Sequence, residues 1–149
     1  MRESLLALSL SVFVHGTAAA AIITECGSSS GHEYFFPGTI VPKDKSGWHK
    51  GAISSGQIIL LIESGKPRLI FRDAAGMIDT ASEGAITQIL GRKNGVVAVL
   101  IIYPGGAVEN YLFRLDESGA GELVYGTFKW GGIIQKAAMF RAECRSPAR

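Results

Sequence analysis

From residue 57 onward, apolar and polar positions exchange every few residues, and short apolar runs are cut by glycine-containing turns. Gln57–Glu63 (QIILLIE) is apolar almost throughout, as suits a strand buried on both faces. Ser64-Gly65-Lys66-Pro67 turns the chain into residues 68–72, and Asp73-Ala74-Ala75-Gly76 turns it again into a short Met77-Ile78 piece. Lys93-Asn94-Gly95 carries the Asn-Gly pair of a tight hairpin, whose central residues need positive φ. It introduces Val96–Tyr103, an aliphatic strand that Pro104-Gly105-Gly106 ends.

Residues 108–115 alternate, with Tyr111, Phe113 and Leu115 on one face and Asn110 and Arg114 on the other. Asp116-Glu117-Ser118-Gly119 closes the next hairpin, and residues 122–130 form a further aromatic and β-branched strand. In residues 134–144, Ala138, Phe140, Ala142 and Cys144 share one face, while Gln135, Arg141 and Glu143 share the other. Two stretches fit either element: 80–91, with a capping-box pattern weakened by Gly84, and 133–144, where a helical spacing is also present. Strand is preferred in the second, and a strand or a single turn in the first. The polar, glycine-rich residues 38–55 read as a long loop before the meander.

Short strands with turns at roughly 8–12-residue spacing point to an all-β barrel or sandwich, and hairpin-length connections favour an antiparallel up-and-down meander. A meander leaves two edges exposed unless it closes on itself. The expected fold is therefore a small closed barrel of about eight strands.

The cysteines bear on that closure. Cys26 and Cys144 are the only two in the chain and stand at opposite ends of its mature part. Ahead of them, Arg2, the apolar run of residues 5–14 and the small residues Ala18 to Ala21 have the form of an export signal. The run is too short to span a bilayer. Cleavage after Ala20 leaves residues 21–149 as a single secreted or periplasmic domain, with Cys26 and Cys144 oxidised to a disulfide that ties its first and last strands. Ile23-Thr24-Glu25 before Cys26 is not the small-residue box that lipid attachment requires.

Net charge is +2 and the basic residues are scattered, which argues against nucleic acid as a partner. The chain holds three histidines, one of them in the signal, so a closed metal site would need carboxylates gathered from elsewhere; neither metal nor cofactor is expected. His32-Glu33 opens like a zinc motif, but Phe36 stands where the second histidine belongs. Gly27-Ser28-Ser29-Ser30-Gly31 matches the G-x-S-x-G nucleophile elbow, for which Asp44 and His49 would be the partners. No helix pattern follows it, so a glycine-serine loop is the preferred reading, and a small serine hydrolase ranks third among the functions considered.

The aromatic run Tyr34-Phe35-Phe36, together with Trp48 and His49, gathers large rings into loop-like sequence and forms the candidate binding patch. Export, a terminal disulfide and a meander resemble the small bacterial barrels that inhibit lysozymes or proteases. Ser30-Gly31-His32-Glu33-Tyr34 matches in letters the serine-glycine-x-x-tyrosine loop of the lysozyme inhibitors. It follows the first cysteine instead of lying between late strands, so that activity is not carried over. Lipocalins are similar in outline, but their Gly-x-Trp is here Gly47-Trp48 with no residue between.

The sequence thus predicts an exported, soluble, non-enzymatic barrel that binds a protein or envelope component through its loops. The alternative is a carrier holding a small apolar ligand inside, against which the large side chains Phe71, Phe113, Phe128 and Phe140 count as fillers of the interior.

Overall fold

The computed structural model describes residues 21–74 and 76–147; the expected signal and its cleavage point lie outside the described residues. In chain order the elements are β1 (Ala21–Phe35), a 3-10 turn (Lys43–Lys45), β2 (Gly47–Ile53), β3 (Gln57–Glu63), β4 (Lys66–Asp73) and β5 (Gly76–Asp79). Then follow β6 (Ile86–Lys93), β7 (Val96–Tyr103), β8 (Ala107–Leu115), β9 (Gly121–Lys129) and β10 (Lys136–Arg145). All ten strands belong to one antiparallel sheet ordered β5-β4-β3-β1-β10-β9-β8-β7-β6, with β2 added to the other half of β1. The sheet curls through 236° as a half-barrel.

The terminal strands pair as the cysteines imply. Cys26 lies directly opposite Cys144 on β1 and β10, Cα to Cα 3.8 Å, and the two are disulfide-bonded. Both are buried, within the same cluster as Leu60, Leu69, Val97, Val99, Phe113 and Leu123. The first and last strands therefore meet in the middle of the sheet, and the ends of the strand order fall in mid-sequence, at β5 and β6, with β2 a short further edge beside β1. Barrel closure is carried as far as these edges. Between β5 and β6 Thr80, fully buried, donates its backbone N–H to the Leu69 carbonyl at 3.1 Å, and its hydroxyl lies 3.4 Å from that of Thr87 on β6. Beyond that point the edges separate, because β5 is only four residues long and β6 carries a bulge between Ile89 and Gly91.

Several expectations are corrected. The Gly27–Gly31 run is strand, not loop: β1 passes through it with a bulge between Cys26 and Ser29. The bulge marks where β1 changes partner from β3 to β2. Polar residues become strand there because β10 and β2 pair with them from either side, and tertiary context overrides propensity. Gly31 is needed for this pairing, since a Cβ on it would sit 2.0 Å from the Met139 carbonyl oxygen. Residues 47–53 of the expected long loop form β2. The two ambiguous stretches resolve as the turn 80–84 with strand β6, and as strand β10.

Candidate functional site

Strand alternation on five adjacent strands sends one parity inward, and successive inward rows differ in character. Nearest the disulfide the row is Val97, Phe113, Leu123 and Ala142, all buried and apolar. The next row places Tyr111 opposite Tyr125 and Tyr125 opposite Phe140. Their rings stack, with centroids 5.3 and 5.4 Å apart and planes 10° and 24° from parallel, so the ring edges and phenol tips face the interior. The row above holds Glu109, Thr127, Ala138 and Glu33, and the uppermost holds Tyr103, Ala107, Lys129 and Lys136. Apolar base, aromatic belt and polar mouth follow one another along the barrel axis.

These upper rows enclose a cavity of about 640 Å³. Its floor is Tyr111, Tyr125 and Phe140; its side toward the sheet edge is Phe71, Ile58 and Ile78; and its mouth is framed by Gly105, Gly106 and Gly131. The mouth turns are locked together: the N–H groups of Trp130 and Gly131 both donate to the Gly106 carbonyl, at 3.0 and 2.9 Å. Phe128, expected inside, points outward and is 57% exposed. Apolar type suggested the core, but its parity puts Thr127 and Lys129 inside instead, and that exchange opens the cavity.

The polar groups of the cavity are held in fixed orientations. Glu109 Oε2 accepts hydrogen bonds from the phenols of Tyr103 at 3.0 Å and Tyr111 at 2.7 Å. Burial, then the Glu109 carboxylate, pushes both phenols up from their ordinary value, so both are protonated donors at neutral pH. Tyr125 is also raised, chiefly by burial, and shares a 2.8 Å hydrogen bond with the Ser29 hydroxyl. Lys136 Nζ donates to Glu33 Oε2 at 2.7 Å and lies 5.4 Å from the centre of the Phe35 ring. Thr127 differs. It is 5% exposed, lines the cavity, and its hydroxyl has no hydrogen-bond partner.

The residues singled out from sequence fall elsewhere. Ser29 faces the interior and bonds to Tyr125, whereas Asp44 sits in the exposed 3-10 turn and His49 contacts the Lys45 carbonyl at 3.0 Å. The structure does not gather those three. His32 is exposed, on the parity opposite Ser29, and among the described residues no group of three His, Cys, Asp or Glu side chains is placed to hold a metal. Tyr34 and Phe35 lie at the end of β1, Trp48 and His49 on β2, so only Phe36 is outside a strand. Tyr34 meets Phe36 at 5.0 Å and Trp48 at 5.4 Å edge to face, and Phe35 meets His49 at 5.6 Å. Ser30 to Tyr34, which matches the lysozyme-inhibitor loop in letters, is paired strand.

Tyr34 and Trp48 belong to a row on the outer wall that sequence reasoning missed. Ile86, Ile102, Val108 and Phe128 are successive cross-strand partners, and the row continues through Ala137 and Tyr34 to Trp48. Only strand register reveals it, because its members are scattered through the sequence. Comparison with known proteins returns no matching family model, no matching curated protein and no matching solved structure.

Proposed function

We propose that the protein is an exported, non-enzymatic binding protein that holds one small amphipathic molecule inside its half-barrel. The cavity carries this reading: about 640 Å³ lies within the range of ligand sites, about 300–1,000 Å³. Its aromatic floor suits a flat or aliphatic body. The Thr127 hydroxyl, buried and unpartnered, is a polar group that a ligand donor or acceptor satisfies. Glu109 and its two phenols offer a second, charged anchor at the mouth. This favours the interior-carrier alternative over capture of a protein through loops, with a ligand that carries a polar group and is not purely apolar. Export rests on the apolar run of residues 5–14 and on the disulfide.

Titration with N-phenyl-1-naphthylamine, which has an aromatic body and one N–H donor, tests the cavity. Saturable one-site fluorescence enhancement is expected, and Ala107→Trp, which narrows the mouth, should abolish it while leaving the melting temperature within a few degrees. Enhancement that survives in Ala107→Trp would place the probe on the outer wall and end the proposal.

A further inference from the structure

The mouth end of the barrel is also the most apolar part of the exterior. Trp48 is 69% exposed, Trp130 56% and Ile133 72%, and Phe36, Ile40 and Phe128 are exposed beside the same turns. Scattered exposed apolar residues need no explanation, but a contiguous set around one opening does. Both tryptophans of the chain are in it. The turn 130–135 holds no charged residue and is flanked by Lys129 and Lys136.

Charge at this end has one predominant sign. Lys43, Lys45, Lys50, Lys129 and Lys136 stand against Glu33, Asp44 and Glu83, with Glu109 facing the interior and Lys136 already paired with Glu33. The opposite end is mixed and internally paired, with Arg141 on Glu122, Arg145 on Glu25, and the acidic turn at Asp116-Glu117. We propose that the mouth end docks onto an anionic lipid bilayer, with Trp48 and Trp130 at the headgroup level and the unpaired lysines on the lipid charge. Tryptophan at the boundary between apolar and charged groups is the pattern of an interfacial belt, and surface lysines each strengthen attachment to anionic lipid. The unbroken apolar row is one residue tall, because the next outer row is mixed, with Asn110, His32 and Lys50 beside Leu100 and the exposed Met139. That height suits contact with a surface and falls short of the span a bilayer core requires. Such docking would set the cavity mouth against the membrane, but it does not depend on the cavity being a ligand site.

The two tryptophans report on the test directly. Vesicles of phosphatidylcholine with about 30% phosphatidylglycerol should shift their emission to shorter wavelength and carry the protein down on sedimentation. Attachment should weaken about fivefold for each lysine reversed in Lys43→Glu, Lys45→Glu and Lys50→Glu, and should fall with added salt. Trp48→Ala with Trp130→Ala should lose sedimentation while keeping the melting temperature. Thr127→Val, a change buried inside the cavity, should sediment like the parent, which separates this proposal from the cavity reading. No sedimentation with anionic vesicles, or equal attachment to pure phosphatidylcholine that ignores salt, overturns it. An emission shift driven by protein concentration alone, with a dimer in sedimentation equilibrium, assigns the face to a second copy and also overturns it.

Discussion

The two ends of the half-barrel are built from the same strands and obey opposite rules. At the base, inward positions are aliphatic or phenylalanine, the disulfide joins directly opposed residues, and even the buried Thr24 hydroxyl is satisfied, donating to the Gly119 carbonyl at 2.6 Å. At the mouth the same strand parity delivers Glu109, Thr127, Lys129 and Glu33 to the interior, and aromatic residues to the exterior. A sheet whose pleat sends alternate residues to opposite faces has its inside-out pattern inverted over its last turn. Stability is concentrated where the pattern holds, and the candidate site lies where it reverses.

The largest expected effect is loss of the bridge at the base. Cys26 and Cys144 are 118 residues apart, and closing so long a loop stabilises the fold by about 4–5 kcal/mol on the chain-entropy argument, an upper value. Cys26→Ser with Cys144→Ser should lower the urea midpoint steeply. A drop of under a third of that value would mean that the β1–β10 ladder holds the ends without help, and that the base is not the anchor.

A paired substitution then separates the two faces. Phe113→Ala empties a fully buried position and should cost about 3–5 kcal/mol. Phe128→Ala, on the opposite parity and the outer wall, should change stability by no more than about 0.5 kcal/mol. Comparable losses from both would show the outer row to be covered in solution.

Much of the fold was legible because it depends on local pattern. Strands β3, β4, β7, β8 and β9 announce themselves by apolar or alternating runs and Asn-Gly or Pro-Gly turns. Residues 80–91 and 133–144 also fit a helix, and the face shared by Ala138, Phe140, Ala142 and Cys144 follows from period two once strand is preferred there. What failed depends on long-range pairing. Gly27 to Gly31 is too polar and too glycine-rich to read as strand, and becomes one because β10 and β2 bond to β1 there from either side. The cavity was hidden for a related reason. Phe128 looked like core by type, and Thr127 and Lys129 looked like surface, whereas register decides the opposite. Of the aromatic candidates, the cluster of Tyr34, Phe36 and Trp48 was visible, but not the row that extends it across seven strands.

Thr127→Val sharpens the contrast at the mouth. Replacing a buried hydroxyl that lacks a partner by a methyl group removes a desolvation penalty, so stability should rise by about 1 kcal/mol. The affinity for N-phenyl-1-naphthylamine should fall about five- to tenfold in the same variant, as expected for one lost hydrogen bond. Thermal melts and the probe titration on one preparation give both numbers. A variant that loses stability and keeps its affinity would mean that the hydroxyl is a structural group and not a ligand contact.

The smallest effect concerns the edge where the sheet stops. Arg68 on β4 bonds to both Glu63 and Asp79, and the Arg68 hydrogen bond is the main reason Asp79 titrates below the ordinary carboxylate range. A carboxylate depressed in the folded state contributes stability that is present above its unfolded value, about 3.9, and is lost as pH falls through its folded value. Asp79→Asn keeps the oxygen that accepts from the Ala81 N–H at 3.0 Å, and removes the charge together with the acceptor that Arg68 uses. At neutral pH the variant should melt slightly lower than the parent. As the pH is lowered below about 4 the two melting curves should converge, because the parent then loses the same interaction. Parallel curves down to strong acid would show that the ion pair adds nothing to the fold. The open edge at β5 would then rest on its ladder with β4 and on the Thr80 contacts with Leu69 and Thr87.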